Sequence, residues 1–178
     1  MPLESFCEVI QPPDQPIENG EVEGWNAVEQ TLKTRLPSDY KDYINVFGTG
    51  CLSNFIWVFN PFSKNLNLNL HNQISAQLNA ITTLEKEFNE SCPYPIYPEL
   101  GGLLPWGITD NGDVMFWIAN GEPDSWKIVV HESRGTMYEM FETTLTNFLI
   151  DLSLERIVSK IIPIELLNRD AQFKSANP

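Results

Sequence analysis

Positive charge is what this sequence has least of: 11 Lys and Arg stand against 24 Asp and Glu in 178 residues, a net charge of −13. A surface that reads phosphate backbones needs clustered Lys and Arg, so nucleic acid is excluded as a partner class. Anionic membranes are excluded on the same ground. Long apolar runs are missing too. No segment approaches the roughly 20 apolar residues of a membrane span. The first twenty residues, MPLESFCEVIQPPDQPIENG, carry Glu4 and Glu8 where a secretory leader has positive charge. Cysteine is sparse: Cys7, Cys51 and Cys92 lie far apart and outside any Cys-x-x-Cys spacing. That argues against a disulfide framework and for a reducing, cytoplasmic setting. Histidine is limited to His71 and His131, neither at i, i+4 spacing with another ligand, so no metal site is expected.

Aromatic and aliphatic residues, by contrast, are plentiful. Hydrophobic residues make up 42% of the chain, with five Trp, ten Phe and five Tyr. One domain of this length buries roughly 70% of its unfolded surface. Pro12, Pro13, Pro16 and Gly20 mark the first 24 residues as an irregular lead-in. Trp25, Val28, Leu32 and Leu36 then recur at helical spacing up to Pro37, and Ser38 is placed to cap a second helix lined by Tyr40, Tyr43, Ile44 and Phe47. Gly48 stands where a helix-ending glycine belongs. NFIWVFNPF (54–62) reads as a strand buried on both faces. Leu66, Leu70, Ile74, Leu78, Ile81 and Phe88 return to helical intervals. SCPYPIYPELGG is loop.

Strands with tight turns follow. LPWGIT and VMFWIAN flank Asp110-Asn111-Gly112-Asp113; WKIVVHE sets Trp126, Ile128 and Val130 on one face; TMYEMF is a short further strand. Thr144 is placed to cap a last helix faced by Leu145, Phe148, Leu149 and Leu152, and Pro163 opens a short helical segment, PIELLNRD. Neighbouring strands joined by tight turns pair antiparallel. The expected fold is therefore α+β, a single domain with a central antiparallel meander of about four to six strands, helices packed on one side and at the ends.

The Asp-Asn-Gly-Asp stretch invites a test for chemistry. Counted from Asp110 as first ligand of a calcium loop, the third position is Gly112 and the obligatory glycine falls on Met115. The calcium reading fails. Asn-Gly is instead the pair suited to positive φ at both centres of a type I′ hairpin turn. The two aspartates flank an exposed turn, which does not separate their pKa values for acid–base work. Gly-x-Ser-x-Gly, Walker and Gly-x-Gly-x-x-Gly patterns are all absent, and no catalytic residue or cofactor is assigned. A Cys–His pair assembled in space stays open. Trp57, Trp106 and Trp117 are expected in the core, while Trp126 could cap the sheet or stand at its rim.

The ordered motifs resemble a known family. LPSDY between two helices (Leu36–Tyr40), YINVFGTG running into a glycine-containing loop, LLPWGITDNGDVMFWI, and MFETTLTNFLIDL are similar in order and spacing to the SUKH superfamily. That superfamily includes fungal cell-wall-synthesis regulators and many bacterial immunity proteins. The resemblance covers roughly Trp25 to Leu152. The patch after the second helix, GTGCLSNF, has one glycine fewer than the family pattern, which bears on the local loop shape. The resemblance implies a lead-in over 1–24, a SUKH-like domain over 25–155 and a C-terminal extension over 156–178. It also implies a non-catalytic protein that binds and neutralises a toxin domain, often a nuclease. An acidic antidote can occupy a basic nuclease groove. Asp110, Asp113, Glu122, Asp124, Trp126 and Glu132 are the expected partner contacts, and the expected partner is a basic toxin domain. A regulatory scaffold and a small hydrolase with an unrecognised site are the alternatives.

Overall fold

A computed structural model describes residues 2–163, 165, 167 and 172–176. Five helices are placed in it: α1 (Pro2–Val9), α2 (Val22–Leu32), α3 (Ser38–Phe47), α4 (Leu70–Phe88) and α5 (Leu145–Ser153). Seven strands accompany them: β1 (Gly50–Leu52), β2 (Ile56–Val58), β3 (Gly102–Thr109), β4 (Val114–Ala119), β5 (Lys127–His131), β6 (Tyr138–Phe141) and β7 (Phe173–Ser175). They form one sheet in the order β6-β5-β4-β3-β2-β1-β7, and every pairing is antiparallel. The α+β meander expected from the tight turns is the fold, with β1 and β7 as additional strands.

Side-chain alternation gives the sheet two apolar faces. Leu104, Trp106, Met115, Trp117, Ile128 and Val130 point into the main core, where α1, α2, α3 and α5 cover them. Val114, Phe116 and Val129 point the other way, into a smaller cluster closed by Leu78 and Ile81 of α4. This explains why β4 and β5 read as nearly continuous apolar runs. A strand covered on both faces has no polar alternation to show.

The lead-in is not irregular throughout. Leu3, Phe6, Cys7 and Ile10 follow a helical interval over the first turns, and Phe6 and Ile10 are fully buried. The Phe6 ring meets Tyr43 and Phe47 edge-on at 5.7 and 5.1 Å. At the other end of the chain, β7 pairs with β1 and lays Phe173 against Phe47 at 5.1 Å. The helical segment expected from Pro163 falls largely outside the described residues.

Helix boundaries differ from expectation in several places. Helix α4 begins at Leu70, with Leu66 exposed in the turn before it, because the Asn69 side chain accepts from the His71 and Asn72 N–H groups and caps it there. Helix α2 ends at Leu32, four residues before Leu36, because Lys33 adopts a left-handed conformation and its N–H and that of Thr34 turn back to Gln30 and Glu29 carbonyls. Ser38 is the first residue of α3 rather than its cap; its backbone N–H donates to Asp124 Oδ1 at 2.6 Å. Thr144 does precede α5, but its hydroxyl makes no bond to the helix. The cap comes from α3: Asp39 Oδ2 accepts from the Thr146 N–H at 2.9 Å and from its hydroxyl at 3.0 Å.

A carboxylate on orphan helix N–H groups is stabilising through both hydrogen bonding and the helix dipole. Asp39→Ala should therefore cost about 1–2 kcal/mol, and each kcal/mol lowers the melting temperature by roughly 2–4 °C at this chain length. Asp39→Asn keeps an acceptor and should cost less. Thermal denaturation followed by circular dichroism measures both.

Candidate functional site

The six acidic and aromatic positions expected to meet a partner do not lie together. The β3–β4 turn and the end of β5 stand at one end of the sheet, placing Asp110, Asp113 and Glu132 there. The β4–β5 connection stands at the other end, with Glu122, Asp124 and Trp126. The six residues of β4 separate the two groups, about 20 Å at the rise of an extended strand.

At the first end, the turn is not the two-residue type I′ that Asn-Gly suggests. Gly112 alone has positive φ, at 92°. The Gly112 N–H bonds the Thr109 carbonyl, and the Thr109 N–H bonds the Asp113 carbonyl, both at 2.9 Å. The loop is thus three residues long, with glycine in its left-handed position. Asp113 explains the extra residue. Its buried carboxylate accepts from the Thr109 hydroxyl at 2.9 Å, the Ser133 N–H at 3.0 Å and the Ser133 hydroxyl at 3.1 Å. These bonds pin the β3–β4 turn to the chain leaving β5. Asp113, expected among the partner contacts, is buried and serves as an internal strut. Glu132 is half-buried with its carboxylate folded over Gly135. Asp110 is exposed, and its Oδ1 accepts the Trp57 indole N–H at 2.7 Å.

At the second end, the connection is tied to the joint between α2 and α3. Glu122 pairs with Arg35, and Asp124 holds the Ser38 N–H. Behind them Glu29 Oε1 accepts from both the Leu36 N–H at 2.9 Å and Lys41 Nζ at 2.8 Å. Trp126 is a core residue, 4% exposed, with its ring 6.0 Å from that of Trp117 and its N–H on the Gly121 carbonyl. It does not stand at an exposed rim of the sheet. Two-residue spacing from Ile128 and Val130 already placed it inward.

Trp57 is the residue that sequence reasoning put in the wrong place. Ile56 and Val58 of β2 both enter the main core, so Trp57 between them must point to the opposite face. It is half-buried and borders a cleft of about 460 Å³ shared with Asn65, Asn67, Gln73, Ile108 and Asp110. Phe55 to Phe59 are all apolar, so the run itself does not show which face stays open.

The open Cys–His question has a partial answer. His131 stacks on the Tyr138 ring at 4.2 Å, and Cys92 lies against the same tyrosine. Burial holds the His131 pKa below the usual value, against the raising influence of Glu90, Asp113 and Glu132. Burial likewise pushes the Tyr138 hydroxyl far up, and the Cys51 thiol up to about 12 with help from Asp110. Among the described residues no group of three or more His, Cys, Asp or Glu is placed to hold a metal ion. No helix among them is long and apolar enough to cross a membrane.

The fold and the motif order meet in the sequence comparison. A SUKH-family model covers residues 23–149, more than half of the chain, and the protein belongs to this superfamily. The matching model is that of the sixth SUKH group, SUKH_6, described as SMI1-KNR4 cell-wall. Searches of curated proteins and of solved structures return no significant match.

Two outcomes follow from the site geometry. Asp113→Ala strands the buried Thr109 hydroxyl and removes the tie to the Ser133 N–H, and should destabilise the fold by about 1–3 kcal/mol, while Asp110→Ala at the exposed turn should stay within roughly 0.5 kcal/mol; urea denaturation compares them. A histidine whose native pKa is depressed favours the neutral form, so its contribution is whole above the unfolded value of about 6.5. It is lost as pH falls from there towards the native value. Stability measured down this window should fall less steeply in His131→Gln than in the parent; an unchanged slope would show that His131 does not set it.

Proposed function

We propose that this protein is a non-catalytic binding module of the cytoplasm that neutralises a cognate protein toxin by occupying its basic surface. Membership of the SUKH superfamily carries the reading, because that membership supports a protein-binding role as immunity protein or cell-wall regulator. The charge of −13 favours a basic partner. Like-signed nucleic acid is repelled, while a cationic groove is attracted over a distance and encounters the protein faster. A nuclease toxin has such a groove by necessity, since it must hold phosphates. The inhibition is steric and electrostatic, with no turnover.

The reading also accords with what the polar groups are doing. Asp113, Asp124 and Asp39 spend their carboxylates on backbone N–H groups of this chain. Cys7, Cys51 and Cys92 are all free thiols, in keeping with a reducing compartment. The family model's cell-wall description favours a second reading, a regulatory scaffold with a host partner. Both are binding functions, and the partner separates them.

Co-expression with a toxin encoded beside this protein should restore growth, and the two should co-elute on gel filtration. Their association rate should fall steeply as salt rises, as charge-steered encounter requires. Absence of both rescue and complex would remove the toxin-neutralising reading; capture of a cell-wall regulatory enzyme instead would favour the scaffold.

A further inference from the structure

The five tryptophans are not equivalent. Trp25, Trp106, Trp117 and Trp126 each lie against another aromatic ring, at centroid distances between 4.8 and 6.1 Å. Trp57 makes no ring contact among the described residues, although its indole is firmly placed. Its strand is anchored by Ile56 and Val58 in the core, and its N–H is bonded to Asp110. The backbone next to it is equally fixed: a Cβ at Gly107 would come 2.8 Å from the Trp57 carbonyl, so β3 and β2 approach as only glycine allows. The outcome is a half-exposed indole beside an oriented carboxylate. Asp110 uses Oδ1 for the indole, and Oδ2 makes no hydrogen bond among the described residues.

The surrounding cleft narrows the ligand. Asn65, Asn67 and Gln73 bring amide groups, Leu68 and Ile108 bring apolar floor, and neither Lys nor Arg lines it. A free anion would meet the Asp110 charge and is refused. A flat cation satisfies every feature: its face stacks on the indole, and its N–H groups donate to the carboxylate and amide oxygens. A guanidinium has that shape. A lysine ammonium carries the charge but not the plane or the fork of donors.

We infer that the Trp57–Asp110 cleft receives an arginine side chain from a basic protein partner. This locates the contact within the binding function proposed above and rests on it. It places the recognition point on the face opposite the main core, at the end of the sheet where β2, β3 and the segment leading to α4 converge. The acidic surface then brings the partner in, and one stacked, hydrogen-bonded side chain fixes its register.

The test uses the whole ¹⁵N-labelled protein and N-acetyl-arginine methylamide, with its lysine and citrulline counterparts as comparisons. The Trp57 indole resonance, assigned from Trp57→Phe, should shift saturably with the arginine compound at millimolar concentration. Lysine should bind several-fold more weakly, and citrulline, the uncharged isostere, should not bind. Asp110→Asn keeps an acceptor for the indole while removing the charge, and should weaken arginine about tenfold. Equal responses to lysine and arginine, shifts spread evenly over acidic residues, or an Asp110→Asn variant that binds unchanged would each overturn the inference. If a co-expressed partner still binds Trp57→Phe and Asp110→Asn at parental strength, the cleft is wrong and the binding function stands. If the probe binds as expected and no protein partner is found, the cleft stands and the toxin-neutralising reading falls.

Discussion

Everything in this fold depends on β3 and β4 serving two cores at once. Their hairpin is the centre of a seven-stranded sheet, and both of its faces are closed to solvent. Two-sided closure needs side chains of the right volume in strict alternation, and a single-residue slip would exchange the two sets. The hairpin contains such a slip, under control. Between Pro105 and Gly107 the register shifts, so that Trp106 is inserted as an extra residue and its large ring enters the main core. Gly107 makes the arrangement possible because β2 passes too close for any side chain there. The bulge, the glycine and the buried tryptophan are one device.

The acidic side chains divide by what they touch rather than by where the sequence puts them. Asp39 and Asp113 hold backbone N–H groups in half-buried or buried settings, and removing either leaves donors without partners. Asp124 does similar duty at an exposed joint. Glu122 pairs with Arg35 where both are well exposed, and such pairs contribute little to stability. The protein's acidity is therefore partly structural glue and partly surface field, and only the second part is available to a partner.

Much of the architecture was legible in the chain. Period-3.6 spacing marks α3, α4 and α5, and tight turns between apolar runs mark β3 to β6 as an antiparallel meander. What escaped was either short or shared. Helix α1 has its apolar interval at Leu3, Phe6 and Ile10, but three prolines just after it dominate the reading of the first twenty residues. Strands β1 and β7 have three residues each, too few for any period to show. The candidate site suffered most, because acidic turn residues look alike in sequence. Whether a carboxylate faces solvent or a backbone N–H depends on which loops share a sheet end, and that is a tertiary fact. Trp57 illustrates the same limit: between two core residues, its exposure follows from which face α4 leaves open.

The bond from Asp39 to Thr146 spans 107 positions of the chain, and β7 reaches back from Phe173 to Leu52. The central hairpins, by contrast, join segments only a few residues apart. Loop closure over short separations is fast and over long ones slow. The sheet centre can thus assemble from local pairs, while the α3–α5 tie and the β7 edge close only after most of the chain has collapsed. A protein so ordered in time pairs its central strands early and closes the helical cover of its main core last.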